Sequence, residues 1–408
     1  MACGLLGRKL GHSFSPQIHG FLGDYAYRLF EVEPEDLESF LRQGSFQGLN
    51  VTIPYKKAVI PFLDELSSRA KLLGAVNTVV RREDGTLIGH NTDFFGFHSL
   101  ALRSGIPIAG RKALVLGSGG ASNTVQAVLR ELGARVTVIS RTGENNYGNL
   151  ERNRDATVIV NTTPVGMYPN VEEAPLTLSQ FPHLEGVLDV IYNPPRTRLL
   201  LEAEALGIPH DNGLWMLVAQ AKESAEWFSG RSIPDGKIQE IYGSLRRQTE
   251  NLILIGMPGC GKTTVGKLLA EKTGKRFVDA DEELERAAGR PITRIIPQEG
   301  AAAFRALETE TLAQLGKQSG LVIATGGGCV TREENYPLLH RGGTIVRLNR
   351  DVSLLPKDGR PLSQTGSLGE MLRIREPMYR RFADFTVDNS GTPEETAGEI
   401  LKKWEESL

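Results

Sequence analysis

The chain has 408 residues, 40% of them apolar and 24% charged, with 47 basic side chains against 49 acidic ones. That length exceeds one ordinary domain, so two or three are expected, and a near-neutral balance with no basic stripe excludes the electrostatic footprint of a nucleic-acid binder. No apolar run reaches bilayer length, the opening MACGLLGRKLGH lacks a signal-peptide core, and Cys3, Cys260 and Cys329 form no CxxC pair, so a cytoplasmic protein with neither membrane partner nor disulfide framework is expected.

Residues 1 to about 100 mix helices with short strands, read from LFEV, GLNVTI and AVNTVV. In GHSFSPQIHG, Ser13 and Ser15 lie on a turn before Pro16 opens a helix. In GLNVTIPYKK a strand ends at Thr52 and Lys56 follows. GAVNT holds Asn77, and IGHNTDFFGF holds Asn91 and Asp93. Each alone reads as a cap, a turn or a solvated charge. Together they supply hydroxyls, amides, one lysine and one carboxylate, a set suited to a polyhydroxylated ligand and one proton to manage.

From GRKALVLGSGGAS the pattern becomes strand, glycine turn and helix. It repeats through ARVTVISR, ATVIVNTT and GVLDVIY, the alternation of a doubly wound parallel sheet. Gly117 and Gly119 give GxG directly after a strand, with Gly120 next and Ser122 in the third glycine's place. The first glycine permits the tight turn and the second lets backbone N–H groups approach a pyrophosphate. A bare strand–helix turn explains such a motif equally well. The end of the following strand tips the balance. Where an NAD site carries Asp or Glu, this chain has Ser140, Arg141 and Thr142. A guanidinium suits a 2′-phosphate by charge and by its planar fork of donors, so NADP(H) is the expected cofactor. GLWMLVAQAKESAEWFSG then reads as a helix with an apolar stripe.

The polar stretch GSLRRQTEN leads into LILIGMPGCGKTTVG, and the main boundary is expected between Gly243 and Asn251. Gly256, Gly261, Lys262 and Thr263 fit GxxxxGK[ST] between a strand and a helix. The loop's N–H groups wrap phosphate oxygens, Lys262 reaches the β- and γ-phosphates, and Thr263 can hold Mg²⁺, so ATP and Mg²⁺ are expected. Further strands, RFVDAD, LVIATGGG and TIVRLN, alternate with helices. FVDADEEL places Asp279 and Asp281 two apart at a strand end, which alternation turns to one face. FRALE offers Arg305, ATGGG offers Gly326 to Gly328, GRPLS offers Arg360 and IREPMY offers Arg375. Two arginines suit a carboxylate on the acceptor, although each alone reads as a surface ion pair. Cys260 lies near Lys262 and a helix N-terminus, which favours a reactive thiol; the alternative is a small residue at a free loop position.

The motifs HSFSPQIH, NVTIPYK, GAVNT, NTD, GSGGAS, NTTPVGM and NGLWMLVAQA, in this order, resemble shikimate dehydrogenase over residues 1 to 243. The resemblance implies NADPH-dependent reduction of 3-dehydroshikimate, with Lys56 and Asp93 catalytic. Ser13, Ser15, Thr52, Asn77, Asp93, Tyr192 and Gln220 are the implied substrate contacts. The implied cofactor contacts are Gly117, Ser118, Gly119, Gly120, Ala121, Ser140, Arg141, Thr142, Val190 and Gly213. The chain departs from the family in reading SRT for the frequent NRT and NTDF for NTDG.

GMPGCGKTT, DAD, FRALE, TGGG, GRPL and REPMY likewise resemble shikimate kinase over residues 251 to 408. Here the resemblance implies Lys262 and Asp281 in catalysis, and Asp281, Arg305, Gly327 and Arg375 on the acceptor. Gly259, Cys260, Gly261, Lys262, Thr263, Thr264 and Arg360 would serve the nucleotide, with Thr263 and, through water, Asp279 serving Mg²⁺. The lid RLNRDVSLLPKDGRPLS is short and lacks an arginine-dense helix; Arg350 is the candidate on that side.

The expected architecture is α/β throughout. Residues 1–100 with 214–243 form a substrate domain, 101–213 an NADP-binding Rossmann domain, 244–250 a linker and 251–408 a P-loop domain of the nucleoside-monophosphate-kinase kind with a parallel sheet. The implied activity is bifunctional, with small-molecule substrates. Two rivals are a nucleotide-sensing module in place of the kinase, opposed by its full catalytic set, and quinate oxidation with NAD, opposed by Arg141. No residue pattern separates monomer from homodimer.

Overall fold

A computed structural model describes residues 2–11, 13–355 and 368–407. The chain divides into two compact units, one of Met1–Asn193 with Thr197–Tyr242, the other of Gly243–Leu408 with Pro194–Arg196. The first unit contains two sheets and the second contains one.

The first sheet comprises β1 (Ala2–Gly7), β2 (Ala26–Glu31), β3 (Gly48–Val51), β4 (Glu65–Leu66), β5 (Thr78–Arg81) and β6 (Leu87–His90), in the order β2-β1-β3-β5-β6-β4. β5 runs antiparallel to both β3 and β6, and the other pairings are parallel. This arrangement puts the ends of β1, β3 and β6 at the same edge as the start of β5. Leu6, Leu49, Val51 and Val79 bury one face in a common core. Reading apolar runs passes over β1, β4 and β6, and over the later strands His210–Asp211 and Phe385–Asp388. β1 carries Gly4 and Gly7, which break its pattern, and Gly4 is required because a Cβ there would strike the Arg28 carbonyl and the Phe30 ring. The helices Asp93–Arg103 and Leu214–Ser229 pack together beside this sheet. They approach closely at Gly96, where a Cβ would lie 2.7 Å from the Met216 carbonyl oxygen.

The second sheet, β7 (Lys112–Leu116), β8 (Arg135–Ile139), β9 (Val158–Asn161), β10 (Gly186–Asp189) and β11 (His210–Asp211), is wholly parallel in the order β11-β10-β9-β7-β8. Its central strands β7, β9 and β10 read as nearly continuous buried runs because both faces are covered, while the edge strands β8 and β11 are only partly buried. The third sheet, β12 (Asn251–Ile255), β13 (Arg276–Asp279), β14 (Leu321–Ala324), β15 (Gly343–Asn349) and β16 (Phe385–Asp388), is also wholly parallel, ordered β13-β14-β12-β15-β16.

The segment 244–250, expected as a linker, is almost entirely helical. The helix Gly236–Thr249 runs through it, and Asn251 begins β12 directly. Ile238, Ile241, Tyr242 and Leu245 are buried at helical spacing, so the polar residues between them are the outer face of an amphipathic helix. The division between units falls inside this helix.

Gly48 on β3 lies under the helix Leu214–Ser229, where a Cβ would overlap the Phe228 ring. Gly48→Ala should destabilise the first unit by about 1–3 kcal/mol through overpacking. Chemical denaturation would show it, and adding Phe228→Ala should recover part of the loss.

Candidate active sites

Thr52 follows β3, Asn77 precedes β5 and Asp93 opens the helix after β6, so one sheet edge gathers all three. Lys56 Nζ donates to Asp93 Oδ2 at 2.6 Å. Asn77 Nδ2 donates to Asp93 Oδ1 at 2.9 Å and lies 3.4 Å from Gln220 Oε1. The lysine and aspartate side chains are 26% and 12% exposed; the pair is shielded from bulk water yet open to a ligand. Ser13 Oγ accepts from the Ser15 amide at the start of the helix Ser15–Leu22. Phe14 between them meets the Tyr192 ring at a centroid distance of 5.9 Å.

Behind these groups is a buried polar network that the residue patterns missed. Thr92 donates its amide to Asn77 Oδ1 at 2.7 Å, and its hydroxyl lies 2.9 Å from Ser224 Oγ. Asn50 Nδ2 donates to Ser224 Oγ at 2.8 Å while its Oδ1 accepts from Tyr27 Oη at 2.7 Å. The network fixes the Asn77 amide so that its nitrogen faces Asp93. Asn50 stands inside the quoted GLNVTI, but Ser224 lies 174 residues away, beyond any local signal.

At the carboxyl edge of the second sheet, Gly117 takes a φ of 104° and packs against Thr162 and Thr163. Gly119 and Gly120 face open space, with no atom within 4 Å of where a Cβ would stand. This is the cradle a pyrophosphate needs at the start of the helix Gly120–Glu131. Ser122 replaces the third glycine to structural effect: its hydroxyl donates to the Gly117 carbonyl at 2.7 Å and ties the turn. Arg141 is exposed and free of hydrogen bonds or ion pairs with any described residue. Gly213 packs so tightly on Val190 that a Cβ would overlap the Val190 carbonyl. The open cradle and unpaired guanidinium fit a phosphorylated dinucleotide.

Asn161 and Asp189, at the ends of β9 and β10, were also missed. Asp189 Oδ1 accepts from Asn161 Nδ2 at 3.1 Å and from the Ile191 amide at 3.0 Å, and Oδ2 accepts from Thr197 Oγ1 at 2.8 Å. Burial outweighs these donors and pushes the carboxyl up to about 7.

In the second unit a cavity of about 660 Å³ extends from the phosphate loop to Arg305 and Arg375. Gly256, Gly259 and Gly261 all have positive φ. A side chain at Gly256 would meet the Leu348 carbonyl at 2.5 Å. Lys262 Nζ donates to the carbonyls of Gly256 and Met257 at 2.9 and 3.1 Å. Thr263 Oγ1 donates to Asp279 Oδ2 at 3.0 Å, and both line the cavity with Thr264 and Arg350. A hydroxyl and a carboxylate in contact beside a phosphate loop are oxygen donors of the kind Mg²⁺ takes.

Asp279 and Asp281 do reach the same cavity, but not as alternating strand residues. β13 stops at Asp279, whose carboxylate caps the helix Ala280–Ala288 by accepting from the Asp281 amide at 3.1 Å. Burial, then the neighbouring Asp279, pushes the Asp281 carboxyl above its ordinary value against the pull of Lys262 and Arg305. Arg305 donates to Glu308 at 2.6 Å, and Arg375 donates to the Gly327 carbonyl at 3.0 Å. A Cβ on Gly326 would stand 2.8 Å from both Asp281 Oδ1 and Glu308 Oε1, so a side chain there would push those carboxylates aside. Glu308 was overlooked although it lies in FRALE, one helical turn from Arg305. Cys260 is wholly buried, with its side chain in the core, which counts against the expected reactive thiol and equally against a free loop position. Arg360 lies outside the described residues. No described helix is long and apolar enough to cross a membrane.

Comparison with known proteins accounts for both units. Residues 5–79 match the family Shikimate dehydrogenase substrate binding domain, and residues 258–405 match Shikimate kinase. The chain is 35% identical to the shikimate dehydrogenase (NADP(+)) of Clostridium perfringens, covering 60% of this chain and 97% of that protein. A counterpart from Methanopyrus kandleri is 39% identical, over 57% and 91%. Among solved structures, a chorismate mutase/shikimate 5-dehydrogenase fusion from Clostridium acetobutylicum is 36% identical, with a TM-score of 0.57 over 60% of this chain and 97% of that one. The Thermus thermophilus shikimate 5-dehydrogenase in complex with NADP(H) and shikimate is 34% identical, with a TM-score of 0.54 over 59% and 98%.

An unfolded aspartate titrates at about 4, so between there and about 7 the folded state holds an extra proton on Asp189. The stability this group lends is complete below that window and is lost as pH rises through it. Asp189→Asn keeps an oxygen for the two Oδ1 donors and turns an amide toward Thr197, which can accept. The variant should flatten the fall in the melting temperature of the first unit between about pH 5 and 7.5. An unaltered slope would rule the assignment out.

Proposed function

We propose a two-step function for this chain, which belongs to the shikimate dehydrogenase family and carries a shikimate kinase domain in its second unit. 3-Dehydroshikimate is reduced to shikimate with NADPH, and shikimate is then phosphorylated at its 3-hydroxyl with ATP and Mg²⁺, toward chorismate and the aromatic amino acids. The observation that carries the first step is the Lys56–Asp93 pair at 2.6 Å, steadied by Asn77. Three free, buried cysteines accord with a reducing cytoplasm.

When bound, NADPH supplies the hydride and ATP the phosphoryl group, with Mg²⁺ neutralising phosphate charge. Lys56 holds a proton on Nζ at the ketone oxygen and releases it as negative charge develops there. Asp93 orients the lysine through Oδ2 and offers the same carboxylate to the neighbouring substrate hydroxyl. Ser13 and Ser15 take the substrate carboxylate by hydrogen bonds. Thr52, Asn77, Tyr192 and Gln220 complete the enclosure. Arg141 and Thr142 take the 2′-phosphate of the cofactor.

In the second unit, Asp281 receives the proton of the 3-hydroxyl, helped by the raised affinity that burial gives its carboxyl. Arg305 and Arg375 hold the acceptor's carboxylate. Lys262 and the loop amides neutralise the phosphates, so most of the rate gain is positioning and electrostatics.

One incubation with 3-dehydroshikimate, NADPH, ATP and Mg²⁺, read by mass, should give shikimate 3-phosphate. Shikimate alone would sink the kinase assignment in favour of a nucleotide-sensing domain. Faster turnover of quinate with NAD would favour the activity named for a Corynebacterium glutamicum relative that is 30% identical. Lys56→Met should lower dehydrogenase kcat by roughly 10²–10⁴-fold and leave the kinase unchanged, and Asp281→Asn should do the reverse. Because Asp281 must be deprotonated to act and its carboxyl is raised, kinase kcat/KM should fall with acidity from a pH above the ordinary carboxylate range.

A further inference from the structure

The segment after β8 contains four asparagines within nine residues, Asn145, Asn146, Asn149 and Asn153, none of which the dehydrogenase motifs account for. Their bonds form one pattern. The Ser140 amide donates to the Asn145 carbonyl at 3.2 Å, closing a turn that has Arg141 and Thr142 at its tip. Ser140 and Asn146 are also joined as an isolated bridge. Asn146 Nδ2 donates to the Gly143 carbonyl at 3.0 Å, and its Oδ1 accepts the Gly148 amide at 2.9 Å. Asn149 Oδ1 accepts the Asn146 amide at 2.9 Å, and its Nδ2 donates to the Glu144 carbonyl at 2.9 Å. Asn153, itself buried, donates to Asn145 Oδ1 at 3.2 Å. Gly143 sits close against the turn, where a Cβ would stand 2.6 Å from Ser140 Oγ and 3.2 Å from the Asn145 carbonyl oxygen. Beneath the turn, Tyr147 packs on the core of the second sheet, close enough for the Arg141 charge to act on its hydroxyl.

A loop with no regular ladder would ordinarily leave its backbone groups to water and its tip free to move. Here side-chain amides bind the carbonyls of Gly143 and Glu144, the two residues immediately past Arg141–Thr142. The exposed guanidinium is thereby carried on a turn fixed from both sides while its own donors stay unpaired. Fixing a charged group before its ligand arrives removes the ordering cost from the binding step. Only a ligand with charge at that point gains from it.

We propose that Asn146 and Asn149 are positioning residues for cofactor selection: they clamp the Arg141–Thr142 turn so that the chain prefers a dinucleotide with a 2′-phosphate. The proposal rests on Arg141 meeting that phosphate, and its test separates the two claims. Dissociation constants for NADPH and NADH, read from nicotinamide fluorescence on the whole chain, are compared for Asn146→Ala, Asn149→Ala, the double variant and Arg141→Gln. The double variant should bind NADPH about tenfold more weakly and NADH within about twofold of the parent, with dehydrogenase kcat at saturating NADPH unchanged. Arg141→Gln should weaken NADPH at least as much. If the double variant binds NADPH as the parent does, or weakens NADPH and NADH alike, the clamp has no selective role and the inference is wrong. If Arg141→Gln keeps the preference for NADPH, the phosphate reading of Arg141 fails, whatever the asparagine variants do. The single variants guard against general loosening, since each should give part of the NADPH loss at the parent's melting temperature.

Discussion

Parallel strands bring their carboxyl ends to one edge of a sheet, and the loops that leave that edge are the places where backbone N–H groups and short side chains are not committed to ladders. Gly117 follows β7, Asn161 closes β9 and Asp189 closes β10; Gly256 follows β12, Asp279 closes β13 and the glycines 326–328 follow β14. The mixed first sheet obeys the same constraint by another route. Because β5 is reversed, its start lies beside the ends of β3 and β6, as the pairing of Asn50 with Thr78 and of Thr78 with His90 records. Asn77 therefore meets Asp93, which in turn holds Lys56, across strands that run in opposite directions.

Each edge then needs room, and glycine gives it in two distinct ways. Gly117, Gly256 and Gly261 adopt positive φ, where a side chain is strained. Gly213, Gly326 and Gly328 have ordinary backbones but stand against Val190, a carboxylate pair and Arg305. The first group shapes the turns proposed to cradle phosphate. In the second group, Gly213 lets two backbone segments close on each other, while Gly326 and Gly328 let charged side chains approach the sheet edge.

Burial gives the three acidic centres different properties. Asp93 stays paired with Lys56 at the opening of its site, half-shielded from water. Asp281 is raised by burial and by Asp279, which suits the proton acceptor proposed for it. Asp189 is buried deepest and accepts from three donors, yet touches neither proposed reacting centre. Its place is to hold together the loops that leave β9 and β10.

The residue patterns were most informative where a motif is contiguous and its chemistry local. GSGGAS, GMPGCGKTT and TGGG follow their strands as read, because a turn next to a phosphate imposes its glycines at fixed spacing. Patterns misled where short-range rules met longer ones. The helix cap at Asp279 ended a strand that alternation would have continued, and buried Ile238, Ile241 and Leu245 made a helix of a stretch that looked like a polar linker. Family, two-unit organisation and the residue types for proton and phosphate handling were set by the sequence alone, since each depends on local spacing. The tertiary structure alone decided that Ser224 supports Asn77 through Thr92, that Glu308 faces Asp281 across Gly326, and that Cys260 is sealed in the core. Those relations depend on which elements pack together, and spacing along the chain does not encode which separate elements meet, whether 27 residues apart as Asp281 and Glu308 or 132 as Thr92 and Ser224.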